Sequence, residues 1–366
     1  MEYRIIGLMS GSSLDGLDIV FASLHENAGR WTYEILKAGC YPYSPEWTER
    51  LRSAPGLSAL EYQLLHADYG HFLGRQVNNF IEENDLHYQV ALVASHGHTV
   101  FHNPAKRMTA QIGDGAAIAA ETGLPVVSDL RALDVAFGGQ GAPIVPIGEK
   151  LLLGEYDFFL NLGGIANLSF NRSSYLGFDV CAANRVLNLL ANEAGSEFDR
   201  DGALAASGLV NPTLLDQLNL LDYYREPFPK SLANEFGTDT VYPLIRKAAL
   251  SVPDALRTYV EHIASQIRQG ISYLIRTEPE AGTGYRMLVT GGGAFNTFLV
   301  ERIRDQLRSF SVETIVPDQQ LVKFKEALIM ALIGVLRWRQ EYTVLSSVTG
   351  ALRDSIGGAL WNGQDA

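Results

Sequence analysis

Apolar and polar positions along the chain alternate with two different periods. Residues 3–9 and 17–24 are short apolar runs of the kind that form buried strands, and the stretch GSSLDG turns one into the other. A third strand is predicted over 31–41, "WTYEILKAGCY". Over 58–84, Leu60, Leu64, Phe72, Leu73, Val77, Phe80 and Ile81 recur at helical spacing, and Ser58 with Glu61 has the spacing of a capping box. "VALVAS" (90–95) predicts a buried strand that ends in the polar loop His96-Gly97-His98-Thr99. "QIGDGAAIAAETG" predicts a loop and a short helix closed by Gly123, and "PVVSDL" a strand ending at Asp129 and Arg131.

The glycine- and proline-rich stretch "AFGGQGAPIVP" (136–146) is the expected crossing between domains. Beyond it the pattern partly restarts. "YDFFLNLGGIANLSF" (156–170) predicts strand, Gly-Gly turn, strand; "YLGFD" a strand; and "NRVLNLLANEAG" a helix ending at Gly195. A long amphipathic helix is predicted over about 254–275, then strand, Gly-Gly-Gly and helix in "RMLVTGGGAFNTFLVERIRDQL", then the strongly apolar helix "KEALIMALIGVLRW". Strands alternating with helices in two halves predict an α/β protein. The expected domains are 1–133 with about 345–366, and 134–344.

Composition narrows the partners. At 366 residues the chain is long for one core and reads as about two domains. A net charge of −12 disfavours nucleic acid and anionic membrane, which need clustered Lys and Arg. The two cysteines, Cys40 and Cys181, are far apart, which fits a reducing compartment. No apolar run approaches the ~20 residues that span a bilayer, and no signal peptide is visible, so the expectation is a cytoplasmic protein.

Three glycine turns carry the candidate chemistry: at Gly11, at Gly163-Gly164 and at Gly291-Gly292-Gly293, each directly after an apolar strand. Such turns present backbone N–H groups in a concavity that binds anions. Ser12 and Ser13 would add hydroxyl donors. A dinucleotide fingerprint fits poorly, because the first turn opens into a strand rather than a helix. A P-loop fails for want of Gly-Lys-Ser/Thr after a strand.

Strand-turn-strand, a second glycine hairpin and a late Gly-Gly-Gly before a helix resemble the actin, sugar-kinase and heat-shock ATPase superfamily. "GLMSGSSLDGLDIV", "HGHTVFHNP", "QIGDGAAIA", "VVSDLRALDVAFGGQGAPIVP", "NLGGIANLS", "PKS", "TGGGAFN" and "SVTGA", in this order from residue 5 to about 360, resemble the anhydro-N-acetylmuramic acid kinase family. The resemblance implies a two-domain actin-like ATPase (ribonuclease H-like) fold with a central nucleotide and substrate cleft. It implies a kinase that uses ATP and Mg2+ to phosphorylate O6 of a 1,6-anhydro sugar while water opens the ring at C1. It further implies a homodimer, for which the helices near 254–275 and 325–338 would supply either an interface or core.

On this resemblance the base for the water is Asp179 in "GFDVCAAN"; the residue-level alternative is a helix N-cap, a position Asp favours. Glu326, polar on an apolar helix, would place water or magnesium, or be that helix's wet face. The ATP site would comprise Gly11, Ser12, Ser13, Leu14, Asp15, Gly16, Leu17 and Asp18, with Gly163, Gly164, Gly291, Gly292, Gly293 and Asn296. Thr99, Arg131 and Asn184 would contact the sugar, Arg131 clamping its lactyl carboxylate; otherwise Arg131 faces solvent or pairs with Asp134. The metal ligands stay open, with Asp15, Asp18 and Glu326 as candidates. His96, His98 and His102 lack a fourth ligand and the usual spacing for zinc.

The chain departs from the family at four places. The family's Gly-x-Asp-Thr-Gly-Pro-Gly-Asn is here Gly177-Phe178-Asp179-Val180-Cys181-Ala182-Ala183-Asn184, without the Thr and its glycines. Ser12 replaces the usual Thr, His98 stands where Gln is usual, and Met9 stands where the superfamily places an Asp. Two other readings follow: a kinase for another anhydro sugar such as levoglucosan, and a nucleotide-binding sensor without turnover.

Overall fold

The computed structural model describes residues 1–363 except 12–13, 173–174, 228–229, 234 and 278–283. The chain divides into two compact units, Met1–Gly154 with Phe324–Ala366, and Glu155–Lys323. The first holds β1 (Glu2–Ser10), β2 (Gly16–Asn27), β3 (Arg30–Pro42), β4 (Leu92–Ser95), β5 (His98–Asn103), β6 (Met108–Ile112) and β7 (Val126–Ser128). The second holds β8 (Phe158–Leu162), β9 (Ile165–Phe170), β10 (Leu176–Ala182), β11 (Tyr285–Thr290) and β12 (Val312–Ile315), and β13 (Ala359–Trp361) returns to the first unit.

Each unit is built on a mixed sheet, in the order β13-β7-β4-β1-β2-β3 and β10-β9-β8-β11-β12. In the first, β1, β2 and β3 form an antiparallel meander, and β4 and then β7 add in parallel on the other side of β1. The second repeats this with β8, β9 and β10 as the meander and β11 and β12 as the parallel pair. The order 3-2-1-4-5 with an antiparallel second strand is ribonuclease H-like. Two such units in one chain give the actin-like ATPase fold.

Helix Ala59–Glu83 packs Leu65, Tyr69, Leu73, Val77 and Phe80 into the first core, each side chain contributing about 1.5–3 kcal/mol of burial. Its start is the expected capping box between Ser58 and Glu61. Leu60 and Leu64 fall outside that stripe and are exposed. Helix Val252–Thr277 is core of the second unit, burying Leu256, Tyr259, Ile263, Ile267 and Leu274. The apolar helix Gln319–Trp338 likewise buries Leu328, Ile329, Leu332 and Ile333. No helix among the described residues is long and apolar enough to cross a membrane.

The stretch 136–146 does not carry the crossing between the units. It wraps Asp134, whose carboxylate accepts from Gly141 N–H (2.8 Å) and Thr349 Oγ1 (2.7 Å), while Gln140 N–H donates to Thr349 O (2.8 Å). This ties the GGQGAP loop to the SVTGA segment inside one unit. The unit boundaries lie at 154/155 and 323/324, rather than at 133/134 and 344/345. The physical reason is helix Val145–Leu152, whose Gly148 packs against Ile329.

Candidate active site

In the first unit the β1–β2 turn starts at Gly11, and Leu14, Asp15 and Gly16 lead into β2, which carries Leu17 and Asp18. Ser12 and Ser13 lie outside the described residues. Among the described residues of this turn the positive φ falls on Leu14 (59°), not on a glycine. Gly16 serves the sheet, since a Cβ there would stand 2.7 Å from Tyr41 O on β3.

A hydrogen-bonded chain begins at Ser10, the last residue of β1. Tyr43 donates to Ser10 Oγ (2.8 Å), so the 2.6 Å contact between Tyr43 and Tyr69 has Tyr69 as donor. The Ser10 hydroxyl is then left to donate to His98 Nδ1 (3.0 Å), which places the imidazole proton on Nε2. Burial holds His98 neutral by pushing its pKa down to about 4.

Arg131 follows β7 at the start of helix Ala132–Ala136, and its Nε is buried without a hydrogen-bond partner. Burial pushes its pKa down to about 10, opposed by nearby Glu326, so it stays charged at neutral pH. The Asp134 carboxylate accepts from Gly141 and Thr349, and Arg131 Nε does not bond to it. His96 Nδ1 donates to Gly97 O (2.9 Å), leaving buried Nε2 as an unpaired acceptor; burial, then the Arg131 charge, push its pKa to about 3. Thr99 on β5 accepts from Gln111 Nε2 (3.3 Å) across the β5–β6 pair. The charged Arg131 guanidinium with an unpaired N–H suits a ligand that brings a carboxylate.

In the second unit, Gly163-Gly164 joins β8 to β9, and Gly291-Gly292-Gly293 follows β11. Gly291 has φ 80°, and a Cβ on it would collide with Asn161 Oδ1. At Gly164 and Gly292 the nearest neighbours to where a Cβ would stand are at 3.8 and 3.7 Å, whereas at Gly163 the Ile165 carbonyl oxygen stands at 3.3 Å. Protein packing therefore does not demand glycine at Gly164 and Gly292, and the space there suits the close approach of a phosphate. Asn184 braces these turns, its Nδ2 donating to Leu162 O (2.8 Å) and its N–H to Gly163 O (3.1 Å). Asn296 is the N-cap of helix Thr297–Leu307, its Oδ1 accepting from Leu299 N–H (2.9 Å).

Asp179 lies on β10, four residues before the Ala183 N-cap of helix Asn184–Glu193, so the N-cap alternative does not hold. A register shift between Asp179 and Cys181 marks a bulge, a device that re-aims a side chain. The carboxylate accepts from Asn167 Nδ2 at Oδ1 and from Leu232 N–H at Oδ2 (2.8 Å). The backbone is pinned as well: Asp179 N–H donates to Lys230 O (3.0 Å), and Tyr223 OH donates to Asp179 O (2.7 Å). Burial raises its pKa above the ordinary carboxylate value, against the two donors. Val180, Cys181, Ala182 and Ala183 are buried, and none adopts a positive φ, so the altered segment does not hold a glycine-only conformation. Cys181 is fully buried with its thiol pKa pushed far up, which makes it inert.

Sequence reasoning singled out Asp179 but missed Asn167, Tyr223, Lys230 and the Leu232 amide. Asn167 sits within the quoted NLGGIANLS motif, and Lys230 within PKS. For magnesium, no group of three His, Cys, Asp or Glu that could hold a metal ion exists among the described residues. A magnesium ion carried on nucleotide phosphates needs only one or two carboxylates, which the acidic residues of the β1–β2 turn can supply.

The family model for anhydro-N-acetylmuramic acid kinase matches residues 3–363. A protein of that name from Aliivibrio fischeri is 33% identical over 85% of this chain and 86% of its own length. Another, from Hydrogenovibrio crunogenus, is 32% identical over 98% and 97%. Among solved structures, component A of the Acidaminococcus fermentans (R)-2-hydroxyglutaryl-CoA dehydratase aligns over 91% of this chain and 97% of its own at 13% identity, with a TM-score of 0.44. On the near-complete match to the family model, this chain belongs to the anhydro-N-acetylmuramic acid kinase family.

Proposed function

We propose that this protein is an ATP-dependent kinase of peptidoglycan recycling that acts on 1,6-anhydro-N-acetylmuramic acid. Water adds to C1 as the C1–O6 bond breaks, and O6 takes the γ-phosphoryl group of ATP. The products are N-acetylmuramic acid 6-phosphate and ADP. The observation that carries this reading is Asp179, a partly buried carboxylate with one neutral donor on each oxygen. It is built to remove one proton from an aimed water. Because the phosphoryl group captures O6, a second carboxylic acid is not required, unlike in a glycosidase.

Arg131 holds the lactyl carboxylate, and Thr99 contacts the sugar. Asn184, which also braces the turn at Gly163, contacts the sugar. Gly11 to Asp18 and the turns at Gly163-Gly164 and Gly291–Gly293 carry the nucleotide phosphates, with Asn296 fixing the helix that follows. Asp15, Asp18 and Glu326 are the carboxylates available to magnesium, which when bound neutralises charge on the phosphates. We place the enzyme in the cytoplasm, as a homodimer; its solution mass checks the latter.

The test is turnover of ATP and magnesium with purified 1,6-anhydro-N-acetylmuramic acid, with levoglucosan alongside and the product weighed. A product that gains both water and phosphate, on the muramic sugar alone, supports the reading, and Asp179→Asn then abolishes it. Turnover on levoglucosan alone moves the substrate. ATP hydrolysis indifferent to any sugar overturns the reading in favour of a sensor.

A further inference from the structure

Strand register sets three polar side chains abreast on the second sheet. Asn161 on β8 pairs with Asn167 on β9, and Asn167 pairs with Asp179 on β10. Directly opposed residues of antiparallel strands share a face, so the three form one row. At one end of the row Asn161 fills the space that a Cβ on Gly291 would need. At the other end Asn167 Nδ2 donates to Asp179 Oδ1, while Leu232 N–H holds Oδ2 from the opposite side (2.8 Å).

We propose that Asn167 is a positioning residue for the Asp179 base, fixing the plane of its carboxylate and keeping it ionised at working pH. This rests on the reading of Asp179 as the base. Two donors on two different oxygens leave a carboxylate little freedom to rotate. Hydrogen bonds to the charged form also favour that form. Burial raises the Asp179 pKa, and the Leu232 and Asn167 donors oppose that rise.

The titratable groups around it do not substitute for Asn167. Tyr223 gives its hydroxyl to the Asp179 carbonyl, not to the carboxylate. Lys230 directs its ammonium at Tyr223 O (2.7 Å) and over the Tyr223 ring (4.3 Å). Cys181, on the same strand, is fully buried with its thiol neutral. Neutral donors are the better choice for a base. A cation paired with the carboxylate would lower its proton affinity by 1–3 pKa units, and with it the driving force for taking the proton from water.

The experiment is the pH profile of kcat/KM for the anhydro sugar at saturating ATP and magnesium, in wild type, Asn167→Leu, Asn167→Asp and Asn167→Ser. With the donor gone, Asn167→Leu moves the acid limb up by about one pH unit. Asn167→Asp moves it further, because two adjacent carboxylates share a proton. Asn167→Ser keeps a donor and falls between wild type and Asn167→Leu. A merely structural Asn167 lowers the plateau and leaves the limb in place. An unmoved limb in both Asn167→Asp and Asn167→Ser overturns the proposal, even if Asn167→Leu fails to fold. Asp179→Asn separates the two questions: if it retains wild-type turnover, the reading of the base fails, independently of Asn167.

Discussion

His98 shows how one residue couples the site to the medium. Its imidazole is buried against Ser10, and its pKa falls from the ordinary 6.5 to about 4. Between those values the unfolded chain binds a proton that the folded chain refuses. Stability from this residue is therefore full above pH 6.5 and is lost as pH falls towards 4. Linkage puts the loss at about 2 kcal/mol between pH 7 and 5. His98→Gln, the side chain usual in the family, should remove that share, seen as a smaller drop in chemical-denaturation midpoint on acidification. An equal drop in both proteins would mean that His98 titrates normally. At this scale the sequence was legible in part. Asp179 stands out as an acid at a strand end, but its partners come from register with β9 and from an amide 53 residues downstream. Neither leaves a local pattern.

Among the elements, helix Gln319–Trp338 lies on β1 and β4 through small residues. A Cβ on Gly7 would run into the Ala327 carbonyl oxygen, and one on Gly334 would come within 2.6 Å of Ala94 Cβ. The obstacle at Gly7 is backbone and cannot rotate away, so Gly7→Ala should cost about 1–3 kcal/mol through overpacking. Denaturant titration reads that loss directly; an unchanged midpoint would mean that the helix moves off the strand freely. Glu326 rides on the same helix, so its placement beside Arg131 depends on this contact. Period and caps made the elements themselves legible, down to the box at Ser58. What the pattern did not carry was partner choice. Gly7 reads as one more strand residue, and Leu60 and Leu64 read as core although they are exposed.

At the scale of the whole chain, the same sheet order appears twice, and the repeated strand-glycine turn-strand pattern had signalled it. The domain limits were less legible, because a glycine- and proline-rich loop looks alike whether it joins two domains or encircles a buried aspartate. The two sets of limits make opposite predictions about fragments. Residues 155–323 form one continuous segment with its own five-stranded sheet and core. Expressed alone, that segment should be soluble and unfold in one cooperative transition. A fragment of 134–344 adds helix Val145–Leu152 and the rest of Gln319–Trp338 without the β1 and β4 surface that Gln319–Trp338 covers. It would uncover the face of Gln319–Trp338 around Ala327, Ala331 and Gly334 that lies on β1 and β4, an apolar face that should drive association. It should also strand the buried Lys325–Glu149 pair (2.7 Å) nearer to water. Light scattering and calorimetry on both fragments decide the matter. A monodisperse, cooperatively melting 134–344 beside an aggregating 155–323 would place the boundary at the GGQGAP loop after all.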